Sequence, residues 1–167
     1  MRFSLALPLA LAAQALAGPT FYLYAYGEGI NGLEVINSGD RAYLGDTKDA
    51  PDQGAIQLDW YEWGDEHGIW YATRRDGGDF SDWVYYLPGE GSSSTQTRFT
   101  SYSQIPKDVR ATGFVLDGDQ AFYEEGGKRL SNWFALPVEG KKGLYTVEWG
   151  TGSVKGKIDI TLSKKAP

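Results

Sequence analysis

Short runs of alternating apolar and polar residues, cut about every 10–15 positions by glycine or Asn/Asp turns, constrain this chain most strongly. Phe21, Leu23 and Ala25 alternate with Tyr22, Tyr24 and Tyr26 before Gly27-Glu28-Gly29 stops the run. Ile56, Leu58 and Trp60 alternate with Gln57 and Asp59, and Ile158, Ile160 and Leu162 alternate with Lys157, Asp159 and Thr161. Successive side chains of a strand point to opposite faces, so each run describes a half-buried strand. Residues 33–36 and 41–44 flank Asn37-Ser38-Gly39-Asp40, which reads as a hairpin loop. Further runs lie at 69–73, 83–87, 98–102, 113–116, 121–123, 133–136 and 144–149. Residues 105–109 are expected to make one helical turn. Beyond residue 17, no stretch of ten residues carries helical periodicity.

This pattern predicts an all-β fold: an antiparallel two-sheet sandwich, jelly-roll-like, as one domain over residues 18–167. A closed barrel is the alternative. The polar face of the final run suits an edge strand that must not stick to its neighbours. The aromatic residues carry the core, because the 167-residue chain contains no cysteine and hence no disulfide staples.

The first 17 residues read as a cleaved secretory signal peptide. Arg2 gives a positive start, 5–13 is apolar, and Ala15-Leu16-Ala17 places small residues at the cleavage positions. The apolar run is shorter than the roughly 20 residues needed to span a bilayer. The expected location is therefore secreted, either extracellular or in a cell wall. A net charge of −6, with the short pairs Lys141-Lys142 and Lys164-Lys165 as its basic features, argues against nucleic acid and anionic membranes as partners. The oligomeric state is left open.

Residues 59–70 form the segment richest in chemistry, with Asp59, Glu62, Asp65 and Glu66, the single His67, and Trp60, Trp63 and Trp70. Three readings stand side by side. The first is a hairpin with Trp60 and Trp70 facing the core across an acidic turn. The second is a sugar site, with indoles stacked on pyranose rings. The third is a cation site using Asp59, Asp65 and Glu66 as hard oxygen ligands. The spacing matches no EF-hand, and the expectation is no metal and no cofactor. Glu62, Asp65 and Glu66 are the candidates for a catalytic carboxylate pair. Without cysteine, thiol catalysis is excluded, and no Gly-x-Ser-x-Gly elbow accompanies the lone histidine. A copper site at an amino-terminal histidine is excluded by Gly18 at the expected new terminus.

Two further features invite functional readings. Tyr22, Tyr24 and Tyr26 form one strand face, read either as half-core or as a flat platform for polysaccharide. Ser92-Ser93-Ser94-Thr95 reads as a flexible loop, with O-glycosylation as the functional alternative. The candidate carbohydrate-binding set is Tyr22, Tyr24, Tyr26, Trp60, Trp63, Trp70 and Trp83.

The segments 21–27, Gly32-Leu33-Glu34-Val35 and Ala42-Tyr43-Leu44-Gly45-Asp46 resemble the opening of a group of small secreted fungal β-rich proteins of uncharacterised function. Thr112-Gly113-Phe114, Gln120-Ala121-Phe122, the run 130–137 and the stretch 143–149 extend the resemblance; residues 47–100 do not share in it. It implies a filamentous fungal origin and an extracellular or cell-wall location, and it carries over no catalytic residue. The expected function is a non-catalytic binding module associated with cell wall or polysaccharide. The alternatives are a carbohydrate-active enzyme using a carboxylate pair, and a secreted protein-binding effector or antigen.

Overall fold

The computed structural model describes residues 18–62, 68–78 and 82–167. The expected signal peptide at 1–17 lies outside the described residues. Among the described residues there are fourteen strands: β1 (Tyr24–Gly27), β2 (Ile30–Ser38), β3 (Arg41–Leu44), β4 (Ile56–Glu62), β5 (Trp70–Arg74), β6 (Trp83–Pro88), β7 (Arg98–Ser101), β8 (Val109–Arg110), β9 (Phe114–Asp117), β10 (Gln120–Glu125), β11 (Lys128–Leu130), β12 (Trp133–Pro137), β13 (Tyr145–Trp149) and β14 (Ile158–Ser163). Helix is confined to the 3-10 turns Thr47–Asp49 and Tyr102–Gln104 among the described residues. The helical turn expected at 105–109 is not formed: the 3-10 turn ends at Gln104, and 107–108 make a plain turn into Val109.

The all-β class holds, but the sandwich does not. In the order β1, β2, β4, β5, β6, β7, β3, β13, β12, β14, each strand is hydrogen-bonded to the next. β14 then pairs back onto β1 through Tyr24↔Ser163 to Gly27↔Ile160, closing a ten-stranded barrel. A sandwich needs two sheets with free edges, whereas closure gives every ring strand a neighbour on both sides. The final strand corrects the same expectation. β14 is no edge, because it contacts β1, β12 and β10. Period-two alternation is common to both architectures, so it could not distinguish them.

The β2–β3 hairpin forms a chord across the ring, pairing Val35 with Leu44 through Ser38 with Arg41. Its two-residue loop, Gly39-Asp40, has φ of 56° and 62°, the left-handed pair that a type I′ turn requires. Isolated bridges at Phe21↔Trp60 and Gln96↔Glu148 stitch β1 to β4 and the lead into β7 to β13. Outside the ring, β9, β10 and β11 form a meander joined to β14 at Gln120↔Ser163, and β8 pairs with β6.

Alternation fills the interior with rings. Trp60, Trp70, Tyr85, Phe99, Phe114 and Trp133 are fully buried and belong to one cluster with Leu23, Ala25, Leu58 and Val147. Trp60 meets Tyr85 edge-on at 5.3 Å between centroids, and Trp133 meets Trp149 edge-on at 4.9 Å. Such edge-to-face pairs are worth about 0.5–1.5 kcal/mol each beyond the area they bury. The Trp133 indole N–H donates to the Tyr85 hydroxyl at 3.2 Å, which satisfies a polar tip deep in the core. Grooves on the outside of the wall include those lined by Thr47, Gln57, Arg75 and Asp76 and by Tyr86, Gln96, Arg98 and Asp108.

Candidate functional site

β1 sends Leu23 and Ala25 inward, both fully buried, and turns its tyrosines outward. Tyr22 is 39% exposed, while Tyr24 and Tyr26 are half-buried on the same face. Each of the three is engaged differently. The Arg75 guanidinium lies 4.1 Å from the centre of the Tyr22 ring, a cation–π contact. The Tyr24 hydroxyl has its pKa raised by burial and by the nearby Glu34 carboxylate. Tyr26 donates its hydroxyl to the carbonyl of Lys165 at 2.7 Å, tying the carboxyl-terminal segment onto β1.

Arg75 is the hub of this face. It donates to the Glu34 carboxylate, to Asp59 Oδ1 at 3.0 Å and to the Leu58 carbonyl at 2.8 Å. The Gln57 amide donates to the other Glu34 oxygen at 3.0 Å. Two carboxylates and an aromatic ring thus fix the guanidinium beside a groove of about 300 Å³ that also contains Gln57, Thr47 and Asp76. Asp76 is held down to about 2 by the Arg74 guanidinium and by the backbone N–H of Gly78.

A second tyrosine array lies on the outer face of β4 and β5. Tyr61 and Tyr71 face each other across the ladder, with rings stacked at 5.6 Å and 18°. Tyr102, from the 3-10 turn after β7, lies over Tyr71 at 6.2 Å and 23° and is 53% exposed. The inner two rings rest on Val84 and Ala111, with Ile69, Tyr86 and Ile105 alongside. Burial, then a hydrogen bond with Asp82, raises the Tyr61 hydroxyl pKa well above 10.0. Sequence reasoning did not select these three residues. The signal was in the doublets Trp60-Tyr61 and Trp70-Tyr71. A strand sends neighbours to opposite faces, so each doublet must place one aromatic outside.

The tryptophan candidates separate from the tyrosines. Trp60 and Trp70 are fully enclosed in the barrel and present no ring face to solvent, as the hairpin reading of 59–70 expected. Trp83 is half-buried, packed against the same interior cluster. Trp63, Asp65, Glu66 and His67 lie outside the described residues. Glu62 sits opposite Trp70 at the end of the β4–β5 ladder, and its Oε1 accepts the indole N–H at 2.9 Å. It also borders a pocket of about 200 Å³ formed with the segment 18–21, Leu116 and Lys164. The structure therefore brings Tyr22, Tyr24 and Tyr26 together on one outer strip, and it places Trp60 and Trp70 on the opposite side of the wall.

Set against family models, curated proteins and solved structures, the chain matches none.

Proposed function

We propose that this protein is a secreted, non-catalytic binding barrel that associates with polysaccharide through tyrosines on its outer wall. The exposure of Tyr102 over the buried Tyr71–Tyr61 stack carries this reading. A ring stacked on a fixed partner loses little freedom when it binds, so it offers a pre-organised apolar face to a pyranose. Tyr22, held by Arg75, supplies a second contact of the same kind on another part of the wall. The aromatic filling of the interior supports the outer wall as the place of contact.

Retention on insoluble chitin, β-glucan and cellulose tests the reading. The wild-type protein is expected to be retained on at least one of them, with Tyr102→Ala and Tyr22→Ala each reducing retention while the folded circular-dichroism signal stays unchanged. Failure to bind all three polymers, or full retention of the double variant, rejects the reading.

A further inference from the structure

Six arginines lie among the described residues, and four of them have carboxylate partners. Arg74 pairs with Asp76, Arg75 with Glu34 and Asp59, Arg110 with Glu125, and Arg129 with Asp117 and Glu124. Arg41 and Arg98 make no ion pair among the described residues. They are also directly opposite each other on adjacent strands, β3 and β7. Like charges in that register repel, with Cβ atoms about 5 Å apart. A chain of net charge −6 has carboxylates in excess, so leaving these two cations unpaired and side by side is an arrangement that an external anion would complete.

The neighbourhood adds donors to the same patch. Tyr86 lies directly opposite Arg98 on β6, where the Arg98 charge acts on its hydroxyl. Gln96 lies two positions before Arg98, hence on the same face of the extended chain, and its Nε2 is buried with no hydrogen-bond partner. Tyr86, Gln96 and Arg98 line one groove of about 250 Å³ together with Ser92, Ser94 and Asp108. Asp108 enters the groove without pairing to either arginine, and Asp40, in the turn beside Arg41, does not pair with them either. A bare anion would gain nothing from Asp108. A ligand that joins an acidic group to hydroxyls would use more of this patch: its oxyanion on the arginines, its hydroxyls on the serines and Asp108.

We infer that Arg41 and Arg98 form a binding site for the carboxylate or sulfate group of an acidic saccharide residue. The saccharide part of this inference rests on the polysaccharide reading above, whereas the anion part stands on the arginine pair itself.

Isothermal titration with four probes separates the two parts: trigalacturonic acid, a sulfated trisaccharide, inorganic sulfate, and neutral maltotriose. At low salt, one of the acidic trisaccharides is expected to bind. The Arg41→Gln/Arg98→Gln double variant should bind it at least about tenfold more weakly, as removal of charge-assisted hydrogen bonds predicts. Binding should also weaken as salt is raised. The ligand-free double variant should melt at the same temperature as wild type or higher, because the repulsion is gone; this shows that lost binding is not lost folding. Unchanged affinity in the double variant, or no binding of any anionic probe, overturns the inference. Arginine-dependent binding of sulfate alone overturns the saccharide assignment. Retention on neutral polymers that depends on Tyr102, together with no arginine-dependent binding of an acidic trisaccharide, upholds the earlier reading and overturns this one.

Discussion

Trp70 donates its indole N–H to the Glu62 carboxylate at 2.9 Å across the last rung of the β4–β5 ladder. Residue type alone makes Glu62 attractive as a catalytic carboxylate, but this bond gives it a structural role. It satisfies the polar tip of a fully buried indole. Glu62→Gln keeps an acceptor oxygen and should cost little. Glu62→Ala leaves the indole N–H unpaired and should lower unfolding free energy by about 1–3 kcal/mol in denaturant titration. Equal stability of the two variants would show that the bond contributes nothing.

Fluorescence offers a test of the aromatic interior. Trp133 is almost wholly buried, edge-on to Trp149 and bonded to Tyr85. Trp133→Ala should destabilise the barrel by about 3–5 kcal/mol, the range for removing a large buried ring. Trp133→Phe should cost less, since it retains most of the volume and loses the bond to Tyr85. Equal losses in the two variants would place the dominant energy in the hydrogen bond, which both remove.

Alkaline titration follows from the buried tyrosines. Burial raises the hydroxyl pKa of Tyr85, Tyr61, Tyr24, Tyr86 and Tyr123 above 10.0. A folded-state pKa above the unfolded value means that the native state holds its protons longer. Stability from these groups is therefore fully present below pH 10 and falls as pH rises past it. Phenolate absorbance should show these five tyrosines ionising late, in a cooperative rise as the barrel opens. A single smooth titration of all tyrosines near 10, with the fold intact, would contradict the burial.

Much of this organisation could be read in the residues. The inward set Leu23 and Ala25 and the outward tyrosines of β1 follow from alternation, and the Gly39-Asp40 turn follows from its residue types. Burial of Trp60 and Trp70 follows from the hairpin reading of the 59–70 segment. Closure was not legible, because the Tyr24–Ser163 pairing depends on which distant strands meet rather than on any local pattern. The Tyr61–Tyr71–Tyr102 array was hidden for the same reason. It needs the register of β4 against β5 and a turn some thirty residues away. The unpaired Arg41 and Arg98 likewise became visible as neighbours once β3 lay beside β7.

One glycine gives a sharper test of backbone packing. A Cβ added at Gly89 would overlap the carbonyl oxygen of Asp108, where the chain beyond β6 passes the segment before β8. Backbone cannot yield as a flexible side chain can. Gly89→Ala should therefore destabilise clearly, by about 1–3 kcal/mol as overpacking does. Gly77→Ala, where nothing lies within 4 Å but φ is 73°, should show backbone strain alone. Thermal melts of the two variants check the difference.

The Tyr26–Lys165 bond spans 139 positions, and the β1–β14 seam it reinforces joins strands almost as far apart. The seam therefore cannot form until nearly all of the barrel's strands have emerged from the ribosome. Contacts this remote in sequence slow folding, and until they form, the first and last strands each carry an unsatisfied edge. The interval before closure is when this chain is most exposed to aggregation, and substitutions at the seam should show their effect first in the yield of folded protein.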